Sequence, residues 1–125
     1  MVADTLLQKL QEKYQEKLIS VAIEGSTAKA LDHSMSDLEL RVLLEEKYDF
    51  HRWHAFFYRE MFVGISYNAV QRTLDESKYI DYEWPISGDC ILTSKVIYDP
   101  FHIYKELKEN QIRAKQNADY HTLIL

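Results

Sequence analysis

The sequence predicts an α/β (α+β) fold, a small mixed sheet of about four to five strands flanked by helices. Three observations carry this. A helical apolar stripe of Leu6, Leu7, Leu10, Tyr14 and Leu18 opens the chain. Apolar runs of strand length then recur, first LISVAI, then LELRVLL, then the mostly apolar stretch 91–98. The last of these leads into Asp99-Pro100, an N-cap residue followed by the residue best suited to the first helical position.

In chain order, Thr5 and Gln8 have capping-box spacing at the head of the first helix, whose apolar stripe packs on the core. Leu18 to Ile23 is apolar on both faces and reads as a central strand. Gly25 breaks it, Ser26 to about Leu31 reads as a short helical turn, and 32–36 as a polar loop. Asp37 to Leu44 is the second strand, and 45–49 is turn-like. Phe50 to Phe57 is aromatic-rich and fits helix or strand. As a helix it would put His51 and His54 on one face, but two imidazoles fall short of the three or four ligands of a zinc site.

Tyr58 to Tyr67 is the third strand, with Glu60, Phe62, Gly64 and Ser66 on one face and a more apolar set on the other. Asn68 and Gln71 have capping spacing for a helix running to about Lys78. A connection over 79–85, a turn at Gly88 and a fourth strand over 91–98 follow. In the final helix Ile103, Tyr104, Leu107 and Gln111 share a face. Its pattern continues past Ala114, and the apolar end TLIL calls for cover by a further domain or a partner chain.

Composition narrows the function. A length of 125 residues suits one domain. A net charge of −5 speaks against a broad nucleic-acid footprint, which needs a basic stripe. Cys90 is the sole cysteine, which excludes an internal disulfide and fits a reducing compartment. The first residues lack a signal peptide's apolar region, and no apolar run approaches ~20 residues. A cytoplasmic protein without membrane association is expected.

The chemistry concentrates in EGSTAKALDHSMSDLEL, residues 24–40. Asp37 and Glu39 alternate onto one strand face, roughly 7 Å apart along the chain. Paired carboxylates attract a divalent cation or force each other's pKa apart. A Gly-Ser turn entering a helix offers backbone N–H groups to an anion. Together they are the minimum equipment for metal-assisted phosphoryl chemistry.

Gly25-Ser26, then Ser36-Asp37-Leu38-Glu39 opening an apolar strand, resembles the signature of the DNA polymerase β-like nucleotidyltransferase superfamily. The closer resemblance is to the kanamycin nucleotidyltransferase family, aminoglycoside-modifying enzymes of antibiotic resistance. It extends through Glu83-Trp84-Pro85 and Ile97-Tyr98-Asp99, over roughly residues 18 to 115. It implies a nucleotidyltransferase domain over 1–115, with 116–125 as a helical extension or the start of a helical domain. It implies that Gly25, Ser26 and Lys29 hold the triphosphate of ATP or another NTP, and that Asp37 and Glu39 are catalytic and ligate Mg²⁺. A hydroxyl of a small acceptor would then take the nucleoside monophosphate. A homodimer is also implied, since in the family both subunits border the cleft.

Ala28 and Ala30 stand where related sequences often have Gly, and two further positions depart from that pattern. Lys29 stands where the family has Arg, keeping the charge and losing the bidentate fork. The family's third acid falls, by ungapped count, on Gly64, and Glu60 on the same face lies roughly 13 Å away. The alternative is therefore a catalytically impaired nucleotide-binding or protein-interaction module of the same fold. RNA tailing, the third reading, lacks a basic patch.

Overall fold

A computed structural model describes residues 2–24, 38–79 and 91–124, with side chains described through residue 117. Helix α1 spans Val2–Tyr14 and is followed by a short 3₁₀ turn, Gln15–Lys17. Strands β1 (Leu18–Ile23), β2 (Leu38–Leu44), β3 (His51–Tyr58) and β4 (Met61–Ala69) come next. Helix α2 is Val70–Glu76, β5 is Lys95–Tyr98 and α3 is Ile103–Ile124. The strands form one mixed sheet in the order β3-β4-β2-β1-β5. Only β2 and β4 pair in parallel; the other three pairings are antiparallel.

Strand alternation sorts the side chains into two layers. On one face Leu18, Val21, Ile23, Leu40, Val42, Leu44, Val63 and Ile65 are buried. The α1 stripe covers them through Ala3, Leu6 and Leu10. On the other face Ala22 and Leu43 are buried with Ile91 and with Tyr104 and Leu107 of α3. The second cover is partial, since Glu39, Trp53 and Phe57 remain exposed toward the β3 edge.

Several local expectations are corrected. The aromatic stretch is strand, because β3 pairs with β4 along its whole length, from His51↔Asn68 to Tyr58↔Met61. The single strand expected over 58–67 is thus the end of one strand, a two-residue turn and another strand. Arg59 and Glu60 form that turn at φ 50° and 68°. Positive φ at both central positions is what a tight hairpin requires, and Asn-Gly, its usual marker, is absent here.

Helix α1 begins before Thr5, so the Thr5–Gln8 box lies inside it. Asn68 is still strand, and its side-chain amide donates to Ser66 Oγ at 2.8 Å instead of capping α2. Residues 91–92 are helical, so the fourth expected strand shrinks to Lys95–Tyr98. Helix α3 runs through position 115 without a break.

Asp99 does cap, although the helix starts later than Pro100. One carboxylate oxygen accepts from Ile103 N at 2.9 Å and from Ser20 Oγ at 2.6 Å. The other accepts from Tyr104 N at 2.9 Å. A single side chain thus joins β1, the end of β5 and the start of α3. At the far side of the same layer, Asn110 Nδ2 donates to Ser77 Oγ at 2.9 Å and Gln111 Nε2 donates to the Ser77 carbonyl, tying α3 to the end of α2. Asp99→Ala removes a helix cap and leaves the buried Ser20 hydroxyl without its acceptor. We expect a loss of about 2–4 kcal/mol in urea unfolding, and a loss below about 0.5 kcal/mol would contradict this role.

Tyr67 packs its ring against Tyr14, with centroids 5.7 Å apart. Burial, reinforced by Tyr14, pushes its phenol up to about 12. The folded state therefore holds the proton more tightly than the unfolded chain. The stability this contributes is complete below about pH 10, the ordinary value, and is lost as pH rises toward 12. Urea midpoints for the wild type should fall across that interval, and Tyr67→Phe should lessen the fall.

Candidate active site

Glu39 is the second residue of β2 and is exposed, while its neighbours Leu38 and Leu40 are buried on the opposite face. The backbone N–H of Glu24 donates to the Glu39 carbonyl at 2.9 Å. Glu24 precedes Gly25, and Leu38 follows Asp37. Both ends of segment 25–37 therefore join the sheet beside Glu39. Gly25, Ser26, Lys29 and Asp37 themselves lie outside the described residues, as do Glu83-Trp84-Pro85 and Cys90.

The parallel register sets Gly64 of β4 directly beside Glu39, and the antiparallel register sets Ala55 beside Gly64. On the β4 side of that row no carboxylate stands next to Glu39; on the β1 side its neighbour is Glu24, whose carboxylate is paired with Arg41. The space above Gly64 is filled by Trp53, whose own partner is Ser66. A Cβ built at Gly64 would lie 2.7 Å from the indole Cζ2 and closer still to Cη2. The ring thus lies against bare glycine backbone, the arrangement by which an aromatic compensates for a strand glycine. Glu60 sits in the hairpin turn, off the strand, and does not substitute for the absent acid.

Behind Glu39 lies a buried polar layer that sequence reasoning missed. Arg41 shares Glu39's face and pairs through Nε with Glu24 Oε1; the two side chains are 20% and 13% exposed. Such a pair holds its geometry because removing either partner strands a buried charge. It fixes the last residue before Gly25 to the strand that carries Glu39. Tyr104 of α3 is also buried, and among the described residues its hydroxyl has no hydrogen-bond partner. Burial pushes that phenol well above its ordinary range, Arg41 opposes the shift, and Glu24 and Asp99 add to it. The alternation of Glu24, Glu39 and Arg41 was readable as a set of charges, but only the β1–β2 register makes Glu24 and Arg41 neighbours.

Extended backbone puts His51 and His54 on opposite faces, so they cannot share a metal. Among the described residues, no group of three or more His, Cys, Asp or Glu side chains gathers in one place. Among the described residues of this row, Glu39 is the exposed hard oxygen donor of the kind Mg²⁺ takes, Glu24 is engaged by Arg41, and Gly64 supplies none. A cleft of about 410 Å³ lined by His51, Asn68, Arg72, Thr73 and Glu76 lies off the Glu39 row, by the start of β3 and α2. Within it Arg72 and Glu76 pair with each other at 2.7 Å.

The fold is similar to that in the crystal structure of a nucleotidyltransferase-like protein from Exiguobacterium sibiricum 255-15. The TM-score is 0.60 at 11% identity, over 88% of this chain and 38% of that one. The fold is nucleotidyltransferase-like. The chain thus spans well under half the length of the protein it resembles. No protein-family model matches the sequence, and no curated protein matches it significantly. Among the described residues no helix is long and apolar enough to cross a membrane.

Trp53 and Gly64 should behave as a pair. Gly64→Ala forces the indole outward, which should shift Trp53 emission to the red and cost about 1 kcal/mol. The shift is read in a Trp84→Phe background, where Trp53 is the remaining tryptophan. An unmoved emission maximum would show that the ring does not rest on Gly64.

Proposed function

We propose that this chain is a nucleotidyltransferase-type domain that holds a Mg²⁺-bound nucleoside triphosphate at the open sheet face beside Glu39. The observation that carries this reading is the anchoring of both ends of segment 25–37 next to an exposed Glu39 on a nucleotidyltransferase-like fold. Glu39 and Asp37 are the proposed metal ligands. Gly25, Ser26 and Lys29 are proposed to hold the phosphates through backbone N–H groups and one ammonium. When bound, Mg²⁺ neutralises the charge that develops on the transferring and leaving phosphates. Arg41 and Glu24 position these groups by fixing β1 to β2.

How far the chemistry goes depends on Gly64. Metal-assisted transfer at such a centre is driven by electrostatics, and one lost ligand costs roughly 10²–10³ in rate. With Gly64 under Trp53, the favoured reading is a nucleotide-binding domain in which this chain's own transfer activity is impaired. The second reading is full transfer of a nucleoside monophosphate to a hydroxyl of a small, aminoglycoside-like acceptor, as in the kanamycin nucleotidyltransferase family. The exposed Glu39 favours it, because a metal-binding acid left open to solvent is accessible to substrate. A homodimer and a cytoplasmic location accompany this second reading.

Calorimetry with ATP and Mg²⁺ tests the common part. Wild type should bind, and Glu39→Gln and Asp37→Ala should each weaken binding by roughly tenfold or more. Equal affinity in all three would remove the site. Transfer of label from α-labelled ATP to an aminoglycoside separates the two readings. Product from wild type establishes the second; product only from a Gly64→Asp/Trp53→Ala double variant establishes an impaired site.

A further inference from the structure

We propose that the outward face of Trp53 is the stacking platform for the base of the bound nucleotide, an inference that rests on the nucleotide-binding reading above. Trp53 is 53% exposed although it is large, planar and apolar. Its inner side is accounted for by Gly64, against which the indole lies. Covering a glycine would be equally served by a smaller apolar side chain, and would not require half of an indole to face water.

Position supplies the rest. Glu39, Gly64 and Ala55 form one row across β2, β4 and β3, and the Trp53 ring leans over the middle of that row. The two residues beyond Glu39 on that row carry almost no side chain, so the indole rises beside the carboxylate above a low floor. In a nucleotide the ribose separates the base from the α-phosphate. Phosphates held beside Glu39 would therefore leave the base within reach of a flat aromatic one to two strands away, at about 5 Å per strand. Base–aromatic stacking contributes on the scale of ten- to a hundredfold in affinity and tolerates any base, because every base has a π-face. The bare Gly64 backbone thus gives the indole its seat and leaves the outer face of the ring open.

The test compares ATP–Mg²⁺ with tripolyphosphate–Mg²⁺, which offers the same phosphates without a base. Binding is followed by calorimetry and, in the Trp84→Phe background, by Trp53 emission. ATP should quench Trp53 and tripolyphosphate should not. Trp53→Leu should weaken ATP at least about tenfold and leave tripolyphosphate unchanged, while Trp53→Phe should retain most of the affinity. ATP binding with unquenched Trp53 and full affinity in Trp53→Leu would overturn the platform and leave the nucleotide site standing. Failure of ATP and tripolyphosphate alike to bind wild type would overturn the nucleotide site itself. Should Trp53→Leu fail to fold, the quenching contrast between the two ligands decides on its own.

Discussion

The parallel pairing of β2 with β4 governs what this sheet edge presents. Each residue of β2 from Leu38 to Leu44 has a fixed partner from Val63 to Ala69, so the side chains beside Glu39 follow from register alone. Parallel neighbours cannot be joined by a tight turn. Here the chain reaches β4 by way of β3, which lies outside β4 and returns through a two-residue hairpin. That detour delivers Trp53 to the same face as Glu39 and lays its ring on Gly64.

The two layers share the work unequally. The α1 side is closed by aliphatic packing and carries most of the buried apolar side chains. The α3 side mixes apolar contacts with buried polar links: Asp99 to Ser20, Asn110 to Ser77, and Glu24 to Arg41. Polar links are directional, so they set relative positions more tightly than aliphatic contacts do. The Glu24–Arg41 link lies beside Glu39, while the other two tie α3 to β1 and to the end of α2.

In the proposed site, Arg41, the basic residue two places beyond Glu39, is a support and not an extra phosphate ligand. Its guanidinium is largely buried against the Glu24 carboxylate. Taking it out to a nucleotide would leave Glu24 as a buried, unpaired charge.

The sequence by itself determined the fold class, the α1 stripe, the cores of β1 and β2, the two faces of β4 and the capping role of Asp99. Each rests on a local cause: alternation, helical period, or a side-chain acceptor next to Pro. It also put Glu39 on the face opposite Leu38 and Leu40, because strand alternation needs no neighbour. Only the tertiary structure decided the rest. Residues 50–57 have a composition that fits helix or strand, and pairing with β4 made the choice. The hairpin at Arg59-Glu60 lacks the glycine that would announce it, and its positive φ values persist because eight paired residues on β3 hold them. The contacts of Trp53 with Gly64 and of Glu24 with Arg41 join residues 11 to 17 positions apart through strand register, which no local pattern encodes.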